Sequence, residues 1–168
     1  MNTTESAPEL KVASIQMVSS ADIKENLATA SRLIRAAAND GAKLITLPEY
    51  FCLMGLKDTD KVRARENIGS GPIQEQLAAL AKEHGIFLVG GTIPLVAKDL
   101  NKVLNTTLVF DPNGLSVGRY DKIHLFGFQT KTERYQESET IEAGDIPSII
   151  KISANQETWT FGLSICYD

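Results

Sequence analysis

The sequence predicts an α/β fold, in which helices cover one face of a mixed β-sheet. Two observations favour it. The chain begins as strand, helix and strand, the pattern of a parallel crossover unit, and a second helix and strand follow. Further along, short apolar segments are separated by tight-turn sequences, which is typical of antiparallel hairpins. Of the 168 residues, 43% are apolar and 23% are charged, as in ordinary globular proteins.

The first crossover unit begins with residues 11–17, which are short, apolar and rich in β-formers, as expected for a buried strand. A helix is predicted next, because Asp22 is a suitable N-cap and an apolar stripe at helical spacing follows it. The stripe consists of Ile23, Leu27, Ala30, Ile34 and Ala37. Gly41 supplies a left-handed stop, and residues 42–47 form the second predicted strand.

A second helix and strand follow an irregular segment. Residues 52–70 have mixed charge and no clean period, which indicates a loop with one irregular turn. Pro72 suits the first position of a helix that Gly85 ends. Residues 86–92 form the next apolar strand, and a linker is expected after it.

A hairpin and a long polar segment are predicted in the second half of the chain. Residues 104–110 and 115–120 form two strands joined by the turn Asp111-Pro112-Asn113-Gly114. Residues 127–147 are polar, so we expect a long surface loop, of the kind that often carries function.

The last two predicted strands cover residues 148–153 and 158–165, and no helix follows them. The length fits a single domain over residues 1–168, with a disordered tail over residues 1–9. A sheet of this type requires helices over its faces, so either another element covers it or the sequence is a fragment.

Composition and charge exclude several classes of function. The net charge of −4 leaves no basic excess for nucleic acid or an anionic membrane surface. No apolar run approaches the ~18–20 residues that span a membrane, and the first residues do not resemble a signal peptide. Two cysteines are too few for a disulfide framework, so we expect a cytoplasmic, reducing location.

Three residues with reactive side chains follow apolar strands that end abruptly. These are Glu49, Lys122 and Cys166. In α/β sheets, sites gather outside the carboxyl ends of strands, so the three side chains can meet at one edge. Each also has an ordinary interpretation, as a loop acid, a surface amine and a core thiol respectively.

Together, the three residues fit one kind of reaction. The thiol attacks a carbonyl or nitrile carbon, and the carboxylate takes the thiol proton and later activates water. The ammonium and a backbone N–H, such as that of Tyr167, stabilise the developing oxyanion. This chemistry needs neither a metal nor a cofactor.

Other interpretations of the cysteines are weaker. Cys52 is an alternative nucleophile, although its position favours a core or pocket-wall thiol. A redox pair of Cys52 and Cys166 lacks the Cys-x-x-Cys spacing, and His84 and His124 do not form zinc-ligand pairs with them. Both histidines are expected to be structural.

Three segments in order carry a resemblance to a known family. Residues 47–51 (Leu-Pro-Glu-Tyr-Phe), 119–126 (Arg-Tyr-Asp-Lys-Ile-His-Leu-Phe) and 162–168 (Gly-Leu-Ser-Ile-Cys-Tyr-Asp) resemble the signature segments of the nitrilase superfamily, the carbon–nitrogen hydrolases. The resemblance implies an α-β-β-α sandwich, of which these residues are an incomplete, N-terminal part of low stability. It also implies a homo-oligomer.

The resemblance further implies a role for each site residue. Glu49 is the expected general base, Lys122 the oxyanion stabiliser and Cys166 the nucleophile that forms a thioester. The place of a second catalytic glutamate is matched by Glu137, and Glu133 and Glu139 are close enough to be alternatives.

The branch of the superfamily indicates the substrate. Residues 122–126 and the triplet Gln136-Glu137-Ser138 resemble the Nit-type amidases, which include omega-amidase and deaminated-glutathione amidase. We therefore expect hydrolysis of a small amide that carries a carboxylate. Lys131 and Arg134 are candidate contacts for that carboxylate or simply solvated residues. The alternative function is a non-catalytic fragment that binds a ligand or partner through a sheet edge.

Overall fold

The fold is described from a computed structural model, which covers residues 9–168. The tail predicted over residues 1–9 lies outside the described residues, except for Glu9. The strands, in chain order, are β1 (Val12–Ser14), β2 (Leu44–Thr46), β3 (Phe87–Val89), β4 (Ile93–Val96), β5 (Val103–Phe110), β6 (Ser116–Asp121), β7 (Gly127–Gln129), β8 (Arg134–Gln136), β9 (Ile141–Glu142), β10 (Ile149–Ala154) and β11 (Glu157–Gly162). The helices are α1 (Ile23–Asn39), α2 (Asp60–Arg63) and α3 (Pro72–His84), with a short 3₁₀ helix at Glu137–Glu139.

The two long helices begin and end where local sequence signals predict. The Asp22 side chain accepts a hydrogen bond from the backbone N–H of Glu25 at 3.1 Å and so caps α1. Pro72 occupies the first turn of α3, and Gly85 ends that helix in the left-handed conformation, with φ of 59°. Both predicted helices are therefore confirmed.

The main sheet is mixed, as predicted. Its central order is β1-β2-β3-β5-β4, in which β1, β2 and β3 are parallel and β5 runs antiparallel to β3 and β4. Strand β6 pairs with β5 through the predicted hairpin, and β9 pairs with β5 in parallel. Strand β6 therefore lies beside β5, and β2 is separated from β5 by β3.

Each face of the sheet is covered by a different element. Helices α1 and α3 pack on one face and bury an apolar cluster that includes Leu27, Ile34 and Leu77. On the other face, Ile150 and Ile152 of the β10–β11 hairpin pack against Val109. The helices therefore lie on one face, as predicted, while β strands cover the other.

Two sequence predictions are wrong. Residues 93–96, expected in a linker, form the strand β4; Pro94 is tolerated because β4 ends the central strand order, where proline costs little. Residues 127–147 are not one surface loop. The β7–β8 hairpin is mostly exposed, but Glu137 and Ile141 are buried, and β9 joins the main sheet.

Within the described residues, none of the helices is both long and apolar enough to cross a membrane.

Candidate active site

Glu49, Lys122 and Cys166 lie beyond the ends of strands β2, β6 and β11, respectively. The chain passes from β2 through Leu47 and Pro48 to Glu49, and from β6 directly to Lys122. The Lys122 backbone N–H donates to the carbonyl of Asn105 on β5 at 3.0 Å, which fixes the direction in which Lys122 leaves the sheet. The main sheet thus brings Glu49 and Lys122 together, although they are distant in sequence. Cys166 approaches them from the turn after the separate β10–β11 hairpin.

Lys122 is the centre of this cluster. Its side chain is 0% exposed, and its Nζ lies 2.9 Å from Glu49 Oε1 and 3.0 Å from Glu137 Oε2. Burial by itself lowers the pKa of Lys122. Hydrogen bonds and charge from the two carboxylates raise this pKa by more than burial lowers it, so the net shift is upward. The amine is therefore held as an ammonium between two acids.

Glu49 is positioned by a residue that the sequence analysis missed. Its Oε1 accepts a hydrogen bond from Asn105 Nδ2 at 2.8 Å in addition to the contact from Lys122. Asn105 is buried in strand β5, where Thr106 and Thr107 are buried as well. A buried amide requires a hydrogen-bonding partner, so an asparagine inside a buried strand was the signal that pointed to it.

Glu137, of the three candidate acids between residues 133 and 139, is the one that lies beside Lys122. Its side chain is 4% exposed and accepts hydrogen bonds from the Phe126 backbone N–H at 2.7 Å and the Tyr50 hydroxyl at 2.9 Å. Glu133 and Glu139 are exposed, and Glu139 pairs with Arg134 at 3.2 Å.

Tyr50 is the second residue that the sequence analysis missed. It has a left-handed backbone, with φ of 54°, and its N–H donates to Thr92 Oγ1 at 2.8 Å. Burial and the negative charge of Glu137 raise the pKa of its hydroxyl, so it remains a hydrogen-bond donor to Glu137. Tyr50 therefore supports Glu137 from the segment that carries Glu49.

Cys166 is exposed and adopts a left-handed backbone, with φ of 50°, in a turn after β11. Partial desolvation of the sulfur and the charge of Glu49 raise the pKa of Cys166, while the charge of Lys122 lowers it. The thiol is thus protonated at neutral pH, and Glu49 and Lys122 are close enough to influence it. Such a thiol requires a base before it attacks a carbonyl carbon.

Cys52 differs from Cys166 in its exposure and in the groups around its sulfur. It is 1% exposed, its thiol donates to the Thr92 carbonyl at 3.5 Å, and burial raises its pKa to about 12. The prediction of a core thiol is confirmed. Both cysteines are free, and among residues 9–168 no group of three or more His, Cys, Asp or Glu is arranged to hold a metal ion.

Aromatic rings surround the cysteine turn. The ring of Tyr167 lies 5.6 Å from that of Phe126, and Phe126 in turn lies 6.1 Å from Phe128 and 6.2 Å from Tyr135. This group joins the β7–β8 hairpin to the turn. Lys131 and Arg134 are exposed on that hairpin, so neither is held toward the cluster around Lys122.

The chain is similar to known proteins over nearly all of its length. The carbon–nitrogen hydrolase family matches residues 11–168. Relatives include nitrilase homolog 2 of Dictyostelium discoideum (36% identical; 94% of this chain, 47% of the relative), omega-amidase NIT2 of Homo sapiens (37%; 94% and 55%) and a deaminated glutathione amidase of Synechocystis (34%; 93% and 57%). The chain spans about half the length of these relatives.

Solved structures are similar in fold. Saccharomyces cerevisiae Nit3, a member of branch 10 of the nitrilase superfamily, matches with a TM-score of 0.77 and 30% identity, over 94% of this chain and 55% of Nit3. The Caenorhabditis elegans NitFhit protein matches with a TM-score of 0.73 and 28% identity, over 93% of this chain and 37% of NitFhit.

Proposed function

The chain belongs to the carbon–nitrogen hydrolase family and to the Nit branch of the nitrilase superfamily, and from this premise we propose that it is a thiol-dependent amidase. Its α/β fold is that of the superfamily, as the signature segments predicted. The proposed reaction is hydrolysis of the carbon–nitrogen bond in a small amide, through a thioester on Cys166.

One observation carries this proposal. A fully buried ammonium, Lys122, is held between the carboxylates of Glu49 and Glu137 beside an accessible thiol, Cys166. Buried charges are costly unless they are paired, and such clusters are concentrated at functional sites. A base, a fixed cation and a nucleophile in one place are the groups that acyl transfer requires.

The first half of the reaction forms the acyl-enzyme. The Cys166 sulfur attacks the amide carbon while the thiol proton passes to Glu49, and the carbonyl oxygen becomes an oxyanion. Lys122 and the Tyr167 backbone N–H stabilise this charge, and one such donor contributes about 2.7–4 kcal/mol. The carbon–nitrogen bond then breaks, the proton on Glu49 passes to the leaving nitrogen, and ammonia or an amine departs.

The second half of the reaction restores the thiol. Glu49 takes a proton from a water molecule, which attacks the thioester carbon, and a second oxyanion forms at the same position. The carbon–sulfur bond breaks, the proton returns to sulfur, and a carboxylic acid is released. Glu137 takes no part in these proton transfers and holds Lys122 in place, which is the role we assign to the fourth acid.

The proposed substrate is a small amide that also carries a carboxylate. Support comes from two groups of relatives, which are named omega-amidase and deaminated glutathione amidase. Homo-oligomer formation and a cytoplasmic location stay predictions.

The test is replacement of the nucleophile with a matched control. Cys166→Ala should abolish ammonia release from a panel of ω-amides of 2-oxo dicarboxylic acids, while Cys52→Ala should retain it. Mass spectrometry should detect an acyl adduct on the peptide that contains Cys166. Turnover by the Cys166→Ala protein would remove the central assignment. Absence of turnover by the wild type on every amide would instead favour the non-catalytic binding function.

A further inference from the structure

The carboxylate of Asp168 accepts three hydrogen bonds and contacts a histidine ring nitrogen, although it lies outside the Glu49–Lys122–Glu137 cluster. Its Oδ2 accepts from the Tyr120 hydroxyl at 2.8 Å and from the Ile165 backbone N–H at 3.1 Å. Its Oδ1 accepts from the His124 backbone N–H at 2.8 Å and contacts His124 Nδ1 at 2.9 Å. The side chain is only 6% exposed. Because both of its oxygens have polar partners, this carboxylate has a defined position.

The partners of Asp168 belong to the two segments that carry the reacting groups. Tyr120 and His124 lie two residues before and two residues after Lys122. Ile165 immediately precedes Cys166, and the Asp168 backbone N–H donates to the Ile165 carbonyl at 3.1 Å, which closes the turn around the cysteine. The Asp168 side chain therefore connects the turn that contains Cys166 to the segment that contains Lys122.

This position requires an ionised carboxylate. Every partner atom at Asp168 is an N–H or O–H donor or, for the His124 ring, a nitrogen that donates when it is protonated. Burial raises the pKa of Asp168, but the hydrogen bonds from His124 and Tyr120 outweigh it and hold the pKa below its ordinary value. Burial and the Asp168 charge raise the pKa of Tyr120 to about 12, so Tyr120 remains a donor.

The cysteine turn has a reason to need such a connection. Cys166 has a left-handed backbone that non-glycine residues adopt at a cost, and strand β11 already ends at Gly162. Without a restraint, the backbone of Cys166 can relax toward an ordinary conformation and carry the sulfur away from Glu49. Displacements of about 1 Å between reacting groups reduce rates by about 10²-fold.

We propose that Asp168 is a positioning residue, which holds the turn of Cys166 against the Lys122 segment through Tyr120 and His124. The predicted effect of Asp168 on turnover rests on the proposed amidase function. Its predicted effect on the Cys166 thiol does not depend on any substrate.

The test compares Asp168→Asn with a matched control, Asp111→Asn. Asparagine directs an NH2 group at donors and cannot replace the carboxylate. Asp111 is a suitable control because its carboxylate also accepts two backbone N–H bonds, from Asn113 at 2.9 Å and Leu115 at 2.8 Å, in the turn between β5 and β6. Tyr120→Phe removes a single hydroxyl and is the milder second variant.

Two readouts separate positioning from simple stabilisation. The first is kcat and KM for amide hydrolysis, where Asp168→Asn should lower kcat by about 10²-fold with little change in KM. Tyr120→Phe should lower kcat by about tenfold, because one hydrogen bond to a charged group is lost. Asp111→Asn should leave both constants near those of the wild type.

The second readout is alkylation of Cys166 by iodoacetamide across pH, measured by peptide mass spectrometry without substrate. The ionisable groups facing the thiol are Glu49, Lys122 and Glu137. In the wild type, desolvation of the sulfur and the charge of Glu49 raise the pKa of Cys166, so the midpoint of alkylation should lie above that of a free cysteine. In Asp168→Asn the midpoint should fall toward the ordinary value, and Tyr120→Phe should shift it in the same direction by less.

Each outcome has a distinct meaning. A wild-type protein that hydrolyses no amide defeats the proposed function, while a shifted alkylation profile in Asp168→Asn still supports the positioning role. If Asp168→Asn fails to fold, Tyr120→Phe decides. The proposal is overturned if the folded Asp168→Asn protein has the same alkylation midpoint and kcat as Asp111→Asn. If Asp168→Asn does not fold, the same comparison is made with Tyr120→Phe.

Discussion

Cys52 and Cys166 place the same thiol in two contrasting regions of the molecule. Cys52 lies in the apolar cluster between the sheet and its helices, is 1% exposed and donates to the Thr92 carbonyl. Cys166 lies in an exposed turn beyond β11, near the charges of Glu49 and Lys122. One region is built for packing, and the other leaves a reactive atom accessible.

The comparison shows that a shifted pKa does not by itself identify a nucleophile. The pKa of both thiols is raised, and burial is the largest cause in each case. The difference is that a carboxylate and an ammonium lie beside Cys166, while Cys52 contacts a backbone carbonyl. Reactivity therefore depends on which groups are within reach of the sulfur, and on whether a substrate can approach it.

The largest expected effect is on the relative reactivity of the two thiols. At pH 8, iodoacetamide should alkylate Cys166 about 10²- to 10³-fold faster than Cys52. A thiol with a pKa near 12 is ionised to only about 10⁻⁴, and Cys52 is also buried while Cys166 is exposed. Peptide mass spectrometry of the labelled native protein measures the ratio. In urea the two rates should become similar, and equal labelling of the native protein would contradict the comparison.

The next effect concerns the acids around Cys166. Glu137→Gln should lower kcat by about 10²-fold, because Lys122 loses one of the two charges that hold it as an ammonium. Glu139→Gln is the matched control two residues away and should have little effect, since Glu139 is exposed and pairs with Arg134. Steady-state ammonia release measures both, and similar losses in the two variants would show that Lys122 does not depend on Glu137.

The smallest effect is on stability, where replacement of Cys52 should matter more than replacement of Cys166. Cys52→Ala should lower the free energy of unfolding by about 1–2 kcal/mol, because it leaves a small cavity in the core. Cys166→Ala should change it by less than about 0.5 kcal/mol, as expected for an exposed side chain. Urea unfolding followed by circular dichroism gives both values, and a larger loss in Cys166→Ala would mean that its turn contributes to the core.

Much of the fold was predictable because its signals are local. The cap at Asp22, the proline and glycine that bound α3, and the Asp111–Gly114 turn act through neighbouring backbone groups. Strand β4 was missed because a proline such as Pro94 indicates a linker rather than a strand. Proline is tolerated in a strand at the end of the strand order, and that place is known only from the structure. The buried part of residues 127–147 was missed because two of its buried residues, Glu137 and Thr140, are polar, and Ile141 alone is too weak a signal.

The sequence by itself determined the two long helices, the β5–β6 and β10–β11 hairpins, and the three strands after which Glu49, Lys122 and Cys166 occur. Only the tertiary structure decided that Glu137 rather than Glu139 reaches Lys122, that Asn105 contacts Glu49, and that Asp168 bonds to both Tyr120 and Ile165. The physical reason is distance along the chain. Caps and turns satisfy groups a few residues apart, whereas these side chains meet because sheet pairing and core packing bring distant segments together.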